Sequence, residues 1–168
     1  MKRFALSVFA FALSAAALVA PVSHAGAEDR STWQMSGEAA AKKTAVQSAA
    51  AAEFWSCEGD AIEPLIVLDA QRVKYISYES KQTCVGAFVS QTTCAKLQKK
   101  TDLGGYEDRT LYSCSAQTAK GVAYVGRSVK CSSAGSGTFR TAGYGTAFPN
   151  GQKVTSATGY SQARTLSC

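Results

Sequence analysis

The chain has 168 residues, 46% of them hydrophobic, with 18 Lys and Arg against 12 Asp and Glu, six cysteines and one histidine. A chain of this size is expected to form one domain with a core of its own, which excludes a knottin-like peptide held by cysteines alone.

Lys2 and Arg3 precede an apolar run, Phe4 to Ala20, broken only by Ser7 and Ser14; Ser23-His24-Ala25 then stands before Gly26. A charged start, an apolar stretch and a small-residue cleavage site predict a secretory signal peptide over residues 1–25, cut after Ala25. The expected product is exported, periplasmic or secreted. No later run is long and apolar enough to predict a transmembrane span. Cleavage would leave 16 basic and 12 acidic residues, a net +4, and no histidine, since His24 leaves with the signal.

Residues 26–36 read as a flexible polar N-terminus, and residues 37–168 as a single disulfide-stabilised domain. From Ser36 to about Phe54 the chain is rich in alanine and free of proline, and Ala39, Val46, Ala50 and Phe54 share a helical face. That predicts a helix. Beyond Cys57 the pattern changes to short β-like runs separated by turn residues. The expected strands are Leu65–Leu68, Val73–Tyr78, Cys84–Val89, Thr110–Cys114, Val122–Cys131, Thr138–Phe148, Lys153–Tyr160 and Arg164–Cys168. Ala95–Lys100 reads as a short helical turn, and Thr118–Gly121 as a hairpin turn. The expected fold is α+β: an N-terminal Ala-rich helix packed on a mainly antiparallel, disulfide-braced β-sheet.

Cys57, Cys84, Cys94, Cys114, Cys131 and Cys168 form an even set in an exported chain, which predicts three disulfides. Spacings of 27, 10, 20, 17 and 37 residues contain no C-x-x-C pair, which argues against zinc and against a redox dithiol. Connectivity is open among 15 pairings. Turns at Ala70-Gln71, Gly104 and Pro149-Asn150 would oppose Cys57 to Cys84, Cys94 to Cys114, and Cys131 to Cys168, favouring pairing in order. Under the Thr118–Gly121 hairpin, Cys114 faces Val125 and cannot reach Cys131.

Without histidine in the mature chain, Ser-His-Asp and Cys-His chemistry and His-dependent metal sites are excluded. The sequence also lacks S-x-x-K, G-x-x-x-x-G-K-[ST], G-x-G-x-x-G and an EF-hand loop. It implies no cofactor and no metal. Carboxylate chemistry survives as an alternative: Glu53, Glu58, Asp60 and Glu63 cluster around Trp55 and Cys57, as a small glycosidase-like hydrolase would require. The plainer reading is a solvated loop beside a packed indole.

Charge is divided unevenly. Residues 26–108 carry nine basic and all 12 acidic residues, whereas residues 109–168 carry seven basic residues and no acid. This basic half suggests a non-enzymatic binding module for an anionic macromolecule or surface: envelope phosphate, acidic glycan, nucleic acid or acidic protein. The candidate contacts are Arg127, Lys130, Arg140 and Lys153. Topology could instead interleave the halves so that acids neutralise the patch, and a structural cell-envelope protein is a further alternative.

Overall fold

The computed structural model describes residues 31–39, 53–86, 90–118 and 121–168. The signal peptide expected over residues 1–25 lies outside them. A four-stranded antiparallel sheet is formed by β1 (Thr32–Ala39), β2 (Glu53–Leu68), β3 (Lys74–Gly86) and β7 (Gly121–Lys130), in that order. A second, seven-stranded sheet is built on β4 (Ser90–Lys100) and β8 (Gly137–Ala147). On one side, β4 pairs with β5 (Tyr106–Asp108) and β6 (Ser113–Thr118). On the other, β8 pairs with β9 (Val154–Thr155), β10 (Gly159–Tyr160) and β11 (Arg164–Leu166).

The α+β expectation is therefore corrected to a nearly all-β sandwich. Both ends of the expected helix are strand, Ser36–Ala39 in β1 and Glu53-Phe54 in β2, and residues 40–52 lie outside the described residues. Alternation explains the β1 end: Trp33 and Met35 are buried while Thr32, Gln34 and Ser36 are exposed, a period of two that begins in the segment read as loose and polar and runs on into the expected helix. The segment expected to be loose, up to residue 36, thus contributes the edge strand from Thr32 onward. Ala95–Lys100 is likewise strand: Ala95 and Leu97 are fully buried and Lys96 between them faces outward. The longest α-helix among the described residues is α1 (Cys131–Ala134).

Two apolar clusters occupy the interior. One gathers Ile76, Tyr78, Leu97, Val125 and Phe139; the other gathers Met35, Trp55, Cys57, Cys84 and Ala147. Between them the sheets are joined by buried polar contacts. Ser80 Oγ shares a 2.9 Å hydrogen bond with Thr93 Oγ1 and donates to the Cys94 carbonyl at 3.1 Å. Gln82 Nε2 donates to the Thr146 carbonyl at 3.2 Å, and Gln82 Oε1 accepts the Trp33 indole N–H at 3.1 Å. Trp33 fits because a side chain is missing beneath it. A Cβ on Gly59 would stand 2.1 Å from the indole, and one on Gly145 would stand 2.5 Å from its nitrogen.

The disulfides close in order. Cys57–Cys84 and Cys94–Cys114 join directly opposed residues, each with Cα atoms 4.0 Å apart. The β2–β3 register shifts between Ile62 and Leu65, where Pro64 offers no N–H to the ladder; beyond that shift Cys57 meets Cys84. Cys131–Cys168 is not a ladder pair: it fastens α1 to the chain end, where Ser136 Oγ accepts the Cys168 N–H. The Thr118–Gly121 hairpin is corrected as well. β6 pairs with β4 in one sheet and β7 with β3 in the other, so the chain changes sheets there instead of folding back on itself. Three disulfides fit an oxidising, extracytoplasmic environment. Among the described residues, no helix is long and apolar enough to cross a membrane.

Candidate anion-binding face

The four basic residues singled out in the sequence do not share one face. Arg127 and Lys130 lie on β7 in the four-stranded sheet, Arg140 lies on β8 in the other sheet, and Lys153 precedes β9. Arg127 opposes the core residue Tyr78, so it points inward in register, but β7 is an edge strand and the side chain remains exposed. Lys130 opposes Tyr75, on the outer face of that sheet. The halves of the chain do interleave in part: Arg164 meets Glu63 at 3.6 Å, and Arg109 meets Glu107 at 2.8 Å. None of Arg127, Lys130, Arg140 and Lys153 is in an ion pair among the described residues.

Arg140 is the exception in its surroundings. Strand alternation on β8 buries Phe139 and Thr141 and sends Arg140 to the outer face, directly opposite Gln98 of β4, which opposes Asp108 of β5. Arg140 Nε donates to Gln98 Oε1 at 2.9 Å, and Gln98 Nε2 donates to Asp108 Oδ1 at 2.8 Å. Tyr106 reaches over from β5 and Tyr160 from β10, each ring centroid lying 3.8 Å from the guanidinium carbon. Two rings that close must take opposite sides of the guanidinium, so the cation is clamped on both flat faces. Its two terminal nitrogens have no hydrogen-bond partner among the described residues.

A second cation–aromatic unit adjoins it. Lys96 Nζ donates to Asp108 Oδ2 at 2.7 Å and lies 4.5 Å from the Tyr112 ring centroid. Tyr112 meets Tyr144 edge to face at 4.9 Å. The hydrogen bonds from Lys96 and Gln98 hold the Asp108 carboxyl below its ordinary value. Burial pushes the Tyr112 phenol up, against a hydrogen bond with Thr158. The first effect reflects fixed hydrogen-bond donors around an exposed carboxyl, and the second the half-buried position of the Tyr112 ring.

Of these residues, sequence reasoning proposed Arg140 as a contact and missed Lys96, Gln98, Tyr106 and Asp108. The signal for Lys96 and Gln98 was their alternation with Ala95 and Leu97, hidden by the helical-turn reading of that segment.

The carboxylates near Trp55 do not assemble around the indole. On β2, Trp55, Cys57 and Gly59 are buried between the sheets, while Glu58 is exposed on the opposite face with half-buried Asp60. Glu53 opens the strand, and Glu63 lies beyond Ile62, where the register shifts, beside Arg164. Trp55 is a core side chain, 4% exposed, and offers no platform for a sugar beside Glu58 or Asp60. No group of three or more His, Cys, Asp or Glu side chains among the described residues could hold a metal ion. No protein-family model matches the chain, and no curated protein matches it in sequence.

Proposed function

We propose that this protein is an exported, non-enzymatic binding module that takes an anionic partner on the outer face of its seven-stranded sheet, centred on Arg140. The observation that carries the reading is the clamped guanidinium. Among the described residues no carboxylate neutralises its charge and its terminal N–H groups have no acceptor, and its orientation is held by two rings and Gln98. An ordering cost that a free arginine would pay on binding is already met in the fold. Arg127, Lys130 and Lys153 have no comparable support, so they contribute diffuse attraction at most. Export is supported by the signal-like N-terminus and by the three disulfides.

The test is a binding panel on the oxidised protein: polygalacturonate, polyphosphate and single-stranded DNA against neutral dextran. At least one polyanion should bind, more weakly as salt rises, because screening limits exposed charges to about 8 Å at physiological ionic strength. Arg140→Gln should weaken that binding about tenfold, the size of one lost charge-assisted contact. The Arg127→Gln/Lys130→Gln double variant should weaken it less than about threefold, as removal of exposed rim charges does. Equal effects of the two variants would contradict a site at Arg140.

A further inference from the structure

The geometry points to a planar monoanion as the ligand: the carboxylate of an acidic sugar, with a uronate-bearing glycan as the partner. The inference rests on the anion-binding reading and specifies it. The first reason is access. With Tyr106 and Tyr160 covering both flat faces of the Arg140 guanidinium and Gln98 holding Nε, the free positions are the in-plane donors of the terminal nitrogens. A carboxylate meets that edge in the same plane with two parallel hydrogen bonds.

The second reason is charge count. Lys96 is neutralised by Asp108 at 2.7 Å, which leaves Arg140 as the fixed cation of the cluster with no ion pair among the described residues. Lys100, exposed and opposite Tyr106, is the next cation along the face. A phosphate dianion or a nucleic-acid backbone gains affinity by gathering several cations at once, and would meet the Asp108 carboxylate beside the site. One carboxylate per sugar ring matches one fixed cation with another at the rim.

The third reason is the surrounding surface. Tyr112 and Tyr144 meet edge to face beside Lys96 on the same outer face, and both are half-buried. Such rings offer an apolar surface with a polar hydroxyl at the edge, which suits a sugar ring with an apolar face and a hydroxylated rim.

The experiment compares polygalacturonate with its methyl ester, polyphosphate, single-stranded DNA and vesicles containing phosphatidylglycerol, all with the oxidised protein. The expected result is binding to polygalacturonate that falls about tenfold or more on methyl esterification, which removes the charge and keeps the sugar. Arg140→Lys, which keeps the charge but loses the planar fork, should fall nearly as far as Arg140→Gln while its circular dichroism and melting temperature stay close to the parent's. Tyr160→Leu should weaken binding as well, as a positioning residue, and the loss should not be restored by lowering salt. Arg140-dependent binding to polyphosphate, DNA or vesicles with none to polygalacturonate would overturn the carboxylate assignment and leave the anion-binding reading standing. Binding to none of these probes, or binding that ignores Arg140, would overturn both.

Discussion

Removing the indole of Trp33 tests how the two sheets are held together. Trp33 is 4% exposed, lies on Gly59, Gly143 and Gly145, and donates to the buried Gln82 Oε1 at 3.1 Å. Truncation to alanine removes a large buried ring, a change that costs about 3–5 kcal/mol in well-packed cores. It also leaves Gln82 Oε1 without its donor, a further ~1–3 kcal/mol for a buried acceptor. The two terms share one site and do not simply add, so the expected loss for Trp33→Ala is about 4 kcal/mol or more. Trp33→Phe keeps most of the ring and drops the N–H, so its expected loss is about 1–3 kcal/mol. Gly145→Ala should cost a similar amount by the opposite route, because its Cβ would collide with Gln82 and the indole. Urea unfolding of the oxidised proteins, followed by far-ultraviolet circular dichroism, measures all three. A Trp33→Ala variant within about 0.5 kcal/mol of the parent, the range of neutral surface changes, would refute the reasoning.

Two pH dependences follow from the strand faces. The Asp108 carboxyl sits below its ordinary 3.8 because Lys96 and Gln98 donate to it, so its contribution is present above that value and lost as pH falls through the folded-state pKa. The melting-temperature advantage of the parent over Asp108→Asn should hold from neutral pH to about 4 and shrink at lower pH; an advantage unchanged at pH 2 would contradict it. The Tyr124 phenol is pushed up to about 12, from 10, by burial and by its hydrogen bond with Glu79. Unfolded Tyr124 therefore ionises first, and the parent should lose stability relative to Tyr124→Phe as pH rises from about 10 to 12; parallel melting curves across that window would contradict it.

The cysteines were the most legible part of the fold. Turn positions alone oppose Cys57 to Cys84 and Cys94 to Cys114, and the observed registers do so through local shifts, at Ile62–Leu65 in one case and between β5 and β6 in the other. The N-terminal strand was not legible, because the polar residues around Trp33 and Met35 read as a loose segment, the burial of both side chains is set by tertiary contacts, and the alanines from Ala39 onward favour a helix. A slot floored by Gly59 of β2 and by Gly143 and Gly145 of β8 comes from two strands far apart in sequence, and no local pattern announces it. The same limit applies to the basic residues. A net charge per half of the chain says nothing about which sheet each residue joins. Arg140 differs from Arg127 through the neighbours that β4, β5 and β10 bring to it, Gln98, Tyr106 and Tyr160.

The measurement that bears most directly on the binding face is a nuclear magnetic resonance titration of the arginine side chains with galacturonate oligomers. In the free protein the Arg140 Nε–H, hydrogen-bonded to Gln98 and covered by two rings, should exchange slowly and give a resolved signal. Saturating ligand should shift that signal and slow the exchange of the terminal N–H groups, while Arg127 at the edge of the other sheet stays in place. Shifts confined to Arg127, or an Arg140 signal that never moves, would contradict the account.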